Sequence, residues 1–401
     1  MLAALRSCSK AMYSNSLPAP SPEALLHSER LTAFIREKIA AAEGWISFAE
    51  FMEAALYAPA LGYYAAGASK FGEAGDFVTA PELSPLFAEC LAVTAKEVMA
   101  LAPAILEVGA GSGRLAVDLL SALETMQALP SRYEILELSA DLAARQKETV
   151  MREIPHLRDR VFWRTSLPES FSGLVLANEV LDAMPVSIVI WPEGGRDGVV
   201  LERGVGWDEL SGFVWQTRPA TGRLRERALM IAEEYPLPSG YMSEIGELAS
   251  DWVASWGSIL EQGLLLLIDY GFPGREYYFP ERSEGTLFCH YRHHAHPDPF
   301  FLPGLQDITA HVDFTALIEA GHARGLELLG YTTQARFLLN SGILSRFSER
   351  MAGSERFLLA SSVHKLIEPH EMGEIFKVMA LGKGLALELT GFSGGDKSHT
   401  L

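Results

Sequence analysis

Cysteine is scarce: Cys8, Cys90 and Cys289 are the only three in 401 residues. They are widely spaced and form no Cys-x-x-Cys pair, which argues against a disulfide framework and a cysteine zinc site and fits a reducing compartment. Positive charge is also short, with 33 Lys and Arg against 51 Asp and Glu and a formal charge of −18. Such a chain repels phosphate backbones, so nucleic acid is a poor main ligand. A basic protein or peptide would be attracted, although acidity also simply keeps a protein soluble. Long apolar runs are missing. The best candidate, Leu264 to Ile268, is five residues and ends in Asp269, far below the roughly 18–20 a membrane span needs. It predicts a buried parallel strand. No secretory signal core, internal repeat or low-complexity segment is present.

Hydrophobic residues make up 48% and charged residues 21%, the composition of a folded chain long enough for two units or one core with insertions. Residues 1–22 carry Arg6 and Lys10, several serines and no acid. That is a weak transit-peptide composition, but the short apolar start and Pro18, Pro20 and Pro22 favour a disordered terminus. The expected location is a bacterial cytoplasm, with the mitochondrial matrix as the alternative. Helical periodicity over 23–100 predicts a helical N-terminal unit that contributes to the active site. From 101 to 185 short apolar strands alternate with helices, the signature of an α/β parallel sheet. Ser187–Trp191 and Val199–Glu202 flank Pro192-Glu193-Gly194-Gly195 and predict a hairpin, within an insertion spanning 186–262. The core is expected to resume over 263–392, with a functional loop at 271–313 and a disordered tail at 393–401.

The sharpest local signal is Glu107-Val108-Gly109-Ala110-Gly111-Ser112-Gly113, after a strand and before a helix. Gly109, Gly111 and Gly113 let the backbone approach a ligand, and the helix N-terminus offers free N–H groups to a carboxylate. Gly111-x-Gly113-x-x-Ala116 also satisfies a dinucleotide pattern, which would suit an NAD-dependent oxidoreductase. The acid-x-Gly-x-Gly-x-Gly form fits S-adenosyl-L-methionine better, with Glu107 near the cofactor's ammonium. Glu137 closes the next strand, 24 residues past Gly113, where a carboxylate can take both ribose hydroxyls of either cofactor.

The fourth core strand ends in Asn178-Glu179-Val180-Leu181-Asp182-Ala183-Met184-Pro185. Ligands sit beyond the carboxyl ends of such strands, which makes Asn178 a cofactor candidate. Glu179 and Asp182 are candidates to clamp a planar guanidinium. An acidic pair at a helix N-terminus, favoured by the macrodipole, is the plainer reading. His311 and Asp313, two apart, would share a face in extended chain and could orient an acceptor or take its proton; a cap before Phe314 is the other reading. Asp76, Thr79 and Glu82 could wall a pocket or merely cap a helix. Cys289, His290, His293, His294 and His296 crowd one loop, but their spacing fits no common metal motif, so no metal is assigned.

These residues carry a resemblance. Gly62-Tyr63-Tyr64, Lys70-Phe71-Gly72, Gly75-Asp76-Phe77-Val78-Thr79-Ala80-Pro81-Glu82, the glycine loop and Asn178-Glu179-x-x-Asp182-Ala183-x-Pro185 come first. Asp269-Tyr270-Gly271, Gly285-Thr286-Leu287, Tyr291-Arg292 and Asp307 to Phe314 follow in colinear order. Together the chain resembles the MidA-like family of methyltransferases, which has mitochondrial relatives acting in complex I assembly. The resemblance implies a Rossmann-like class I methyltransferase sheet and S-adenosyl-L-methionine as cofactor. It also implies an arginine-bearing protein substrate, and an acceptor pocket to which Asp269, Tyr270, Tyr291 and Arg292 would contribute. A non-catalytic assembly factor that retained the fold is the remaining alternative.

Overall fold

The computed structural model describes residues 17–66, 79–192, 199–350 and 356–401. The chain divides into two compact units: 78–182, 249–277 and 311–401 form one, and 1–77, 183–248 and 278–310 the other.

The first is the α/β unit. Its strands are β1 (Ala104–Val108), β2 (Arg132–Leu136), β3 (Val161–Arg164), β4 (Phe171–Asn178), β5 (Leu260–Phe272), β6 (Val312–Asp313), β7 (Glu327–Thr333) and β8 (Phe376–Lys383). The sheet order is β7-β8-β5-β4-β1-β2-β3, with β6 paired to the end of β5. The five strands from β5 across to β3 are parallel, and β8 runs antiparallel between β5 and β7. Every residue of β1 is buried, which is why these strands read as continuous apolar runs rather than alternating ones. β1 and β4 are neighbours, and the chain leaves them in opposite directions, so a crevice opens at their carboxyl ends.

Helices α1 (Ala80–Leu83), α2 (Pro85–Met99), α3 (Arg114–Thr125), α4 (Ala140–Glu153), α5 (Glu247–Ile259) and α6 (Phe314–His322) accompany the sheet. Their starts follow from local chemistry. Ser84 accepts from Leu86 N at 3.2 Å, and Ser139 accepts from Leu142 N at 3.4 Å. Helix α2 lies in this unit, not in the helical N-terminal one expected over 23–100. It buries Phe87, Leu91 and Val98 in one core with Leu119 and Leu120 of α3. Helix α5 ends at Ile259, and β5 already begins at Leu260.

Residues 393–401, expected to be disordered, are tied to β7, the edge strand. Lys397 N donates to Tyr331 O at 2.6 Å, Tyr331 N donates to Asp396 at 3.2 Å, and Thr332 Oγ1 donates to Gly395 O at 2.8 Å. An open sheet edge with unpaired backbone groups is the physical reason the tail is held there.

The second unit joins segments that the sequence reading kept apart. Helices Pro22–Ala41 and Phe48–Tyr57 pack with a five-stranded antiparallel sheet, in which Ile46–Ser47 pairs with Leu201–Asp208. The expected hairpin is present as Ser187–Trp191 against Leu201–Asp208; residues 193–198 of its turn lie outside the described ones. One apolar core unites Leu31, Ile35, Phe48 and Phe51 with Ile188, Val205 and Phe213. Most of the stretch expected as a single loop at 271–313 also belongs here. Phe288–Tyr291, His294–His296 and Asp307–Thr309 form a three-stranded sheet. Two of the motifs serve this unit's own assembly. Tyr64 donates to Asp307 at 3.0 Å. The buried Glu244 carboxylate accepts from Thr286 N and Thr286 Oγ1, both at 2.9 Å. Gly285 has φ +79, and a Cβ there would stand 2.2 Å from that carboxylate, so only glycine fits.

Candidate functional site

The site grows from the switch point of the α/β unit. After β1 the chain turns through Gly109 (φ +65), Gly111 (φ +52) and Gly113 (φ +83), all left-handed. Gly113 stands at the N-cap of α3 and supplies no side-chain cap, so the first amides of α3 face the loop. Ser112 Oγ accepts from Arg114 N at 3.3 Å and donates to Glu82, which ties the loop to α1. Gly109 is exposed, and a Cβ there would stand 3.3 Å from Val180 Cγ2.

Glu107 is 3% exposed, and Tyr133 donates to it at 2.7 Å. Burial raises its carboxyl to about 7, the Tyr133 hydrogen bond opposes the rise, and nearby Glu137 adds to it. Glu137 closes β2 as expected. Ser139 N donates to one of its oxygens and Gln146 Nε2 to the other, both at 2.9 Å. Leu138 beside it is 75% exposed, an apolar surface open to a planar base. The loop, an acid at the end of β2 and an exposed Leu fit an adenosyl amino acid. So does Asn178 Oδ1, which is buried without a hydrogen-bond partner among the described residues and can accept from an ammonium.

Glu179 follows β4 in a left-handed conformation, φ +54, uncommon for a non-glycine residue. Its Oε1 accepts from Asn178 Nδ2 at 3.1 Å and from Ala80 N at 3.4 Å. The strain has a visible cause. Asp269, wholly buried near the end of β5, accepts through Oδ2 from Val180, Leu181 and Asp182 N at 3.2, 2.9 and 3.3 Å. Burial raises the Asp269 carboxyl, and Asp182 and Glu179 push the same way, against backbone donors that favour the charged form. Tyr270 donates to Asp182 at 2.5 Å, and His311 sets its ring edge-to-face against Tyr270 (5.2 Å) and Phe272 (5.1 Å). Asp313 is the N-cap of α6, accepting from Thr315 and Ala316 N at 3.1 and 3.2 Å.

The structure therefore gathers Glu107, Gly109, Gly111, Gly113, Glu137, Asn178, Glu179, Asp182, Asp269, Tyr270, His311, Thr79 and Glu82 in the α/β unit. Asp76 lies outside the described residues. Tyr291 and Arg292 belong to the other unit: Tyr291 packs on Phe301 at 5.5 Å, and Arg292 (φ +48) and His293 (φ +61) form a two-residue hairpin tip. Sequence reasoning missed Tyr133, Leu138, Gln146 and Trp163. Gln146 did leave a trace, since Leu142, Gln146 and Val150 recur every four residues on the buried face of α4.

Comparison with known proteins bears on this geometry. Residues 86–332 match a family described as "Putative S-adenosyl-L-methionine-dependent methyltransferase". A solved structure from Burkholderia thailandensis, bound to S-adenosyl-homocysteine, is 47% identical with a TM-score of 0.91, covering 96% of this chain and 100% of that one. The mitochondrial protein arginine methyltransferase NDUFAF7 of Mus musculus is 31% identical over 84% of this chain and 81% of its own length. The Danio rerio counterpart is 28% identical over 85% and 84%.

Proposed function

The chain belongs to the MidA-like family of S-adenosyl-L-methionine-dependent methyltransferases, and from that premise we propose that it methylates an arginine side chain of a protein partner. Family membership decides between the two cofactors the glycine loop left open: the cofactor is S-adenosyl-L-methionine. When bound it supplies a methyl carbon on a sulfonium, ready for in-line displacement. In this reading the loop 109–113 and the N-terminus of α3 hold its amino-acid portion, and Glu137 holds the ribose diol.

The observation that carries the acceptor side is Glu179, held at φ +54 by the Asp269 grip on the next three amides, with Asp182 close behind. A guanidinium is planar, permanently charged and best held by carboxylates. Glu179 and Asp182 would orient one nitrogen toward the methyl carbon; as the N–C bond forms and the C–S bond breaks, a carboxylate takes the proton released. Tyr270 fixes Asp182, and His311 packs against Tyr270. The names of the mouse and zebrafish relatives support arginine as the acceptor. Their mitochondrial designation makes the matrix a testable location, and the net charge of −18 suits a basic segment as substrate.

The test is transfer of isotope-labelled methyl from S-adenosyl-L-methionine into a cell extract, followed by mass spectrometry of the modified peptides. Methylarginine that depends on Glu179 supports the reading; label confined to another residue type overturns it.

A further inference from the structure

Gln146 has no part in the motifs, yet it touches three elements of the cofactor side at once. It is wholly buried on α4. Its Nε2 donates to Glu137 Oε2 at 2.9 Å and to Gly111 O at 3.1 Å. Its Oε1 accepts from Trp163 Nε1, in β3, at 3.0 Å. Helix α4 comes this close because Gly113 has no side chain: a Cβ there would lie 3.2 Å from Gln146 Cα.

Donor chemistry fixes the direction of this chain. An indole N–H can only donate, so the amide must turn its oxygen to Trp163. Its two N–H groups then face the other way, toward a carbonyl and a carboxylate, which can only accept. Reversing the amide would set oxygen against oxygen at Glu137 and at Gly111. Trp163 is itself held, with Lys147 Nζ 5.3 Å from its ring centre.

We infer that Trp163 and Gln146 form a positioning relay that sets the Glu137 carboxylate and the Gly111 carbonyl in fixed relation before the cofactor arrives. The inference rests on the cofactor site proposed above. Gln146 links the turn that takes the amino-acid portion to the acid that takes the sugar, so the two halves of one ligand meet a preset spacing. Presetting a charged acceptor removes an ordering cost at binding, and hydrogen bonds to a carboxylate are the stronger kind.

Calorimetric titration of the full chain with S-adenosyl-homocysteine tests this, alongside the melting temperature of each free variant. Gln146→Met keeps side-chain length and apolar packing but removes the amide's donor and acceptor; its Kd should rise about tenfold or more, the worth of a charge-assisted hydrogen bond. Trp163→Phe keeps a partly buried ring but frees the amide to turn, and should weaken binding by roughly three- to tenfold. In the double variant Trp163→Phe should add nothing further, because it acts only through Gln146. In a Glu137→Ala background the effect of Gln146→Met should shrink to the smaller part carried through the Gly111 carbonyl. A merely structural role predicts the opposite: melting temperatures that fall additively, with normal affinity in whatever folds. Either single variant binding as the wild type, while Glu137→Ala binds poorly, overturns the relay and leaves the site standing. Glu137→Ala binding as the wild type overturns both. Should Gln146→Met not fold, Trp163→Phe alone decides the matter on the same criteria.

Discussion

Two halves of one sheet edge hold their polar groups in contrasting ways. On the β1–β2 side the chain presents backbone amides, left-handed glycines and one largely buried acid, Glu137, whose two oxygens are steadied by neutral donors. On the β4–β5 side three acids crowd together. One of them, Asp269, is sealed inside and spent on three consecutive amides. The first arrangement suits a ligand of fixed shape, bound by directional donors and a diol clamp. The second builds up negative potential at a strained residue, Glu179, and suits a cation whose charge must be held while a bond forms. Affinity for the cofactor and competence for transfer should therefore separate by mutation.

Gly109→Val strikes hardest at the first half. It places a branched side chain at φ +65, facing Val180 Cγ2. Strain there is worth about 1–3 kcal/mol, so affinity for S-adenosyl-homocysteine should fall by about tenfold to a hundredfold in a calorimetric titration. Asp269→Ala strikes hardest at the second. It strips an acceptor from three amides, two of them buried, at roughly 1–3 kcal/mol for an orphaned group, and should lower the melting temperature by several degrees and abolish methylation. Glu179→Ala draws the finest line: cofactor affinity should stay within about twofold of wild type while label incorporation is lost. Loss of both together would erase the distinction between the halves.

The smallest effect concerns Glu107. Its carboxyl sits at about 7 in the folded chain because of burial, above the ordinary 4.5. A group raised by folding binds its proton more tightly in the native state. Its stabilisation is thus complete below about 4.5 and is lost as pH rises through about 7. Melting temperatures across pH 5 to 8 should decline more steeply for the wild type than for Glu107→Gln. Parallel curves would contradict the assignment.

The same contrast explains what could be read from the sequence. The glycine loop, Glu107 and Glu137 are local signals, fixed within a few residues of a strand end, and the structure puts each at that strand end. Asp269 was visible as a motif, but its work was not, because its partners lie 87 to 89 residues away and meet it only when β5 pairs with β4. Gln146 and Trp163 escaped for a like reason: a relay across α4, β2 and β3 has no sequence spacing. Asp313 shows the limit of period-two reasoning, since the carboxylate placed beside His311 on paper caps α6. The tail was expected to be disordered, whereas the open edge of β7 that holds it is a property of the sheet and has no local signal.

The most direct measurement is a crystal structure of this chain with S-adenosyl-homocysteine. Our account places the ribose hydroxyls on Glu137, the amino-acid end at residues 109–113, and the sulfur facing Glu179. A ligand lodged elsewhere, or turned so that its sulfur points away from the end of β4, would contradict it.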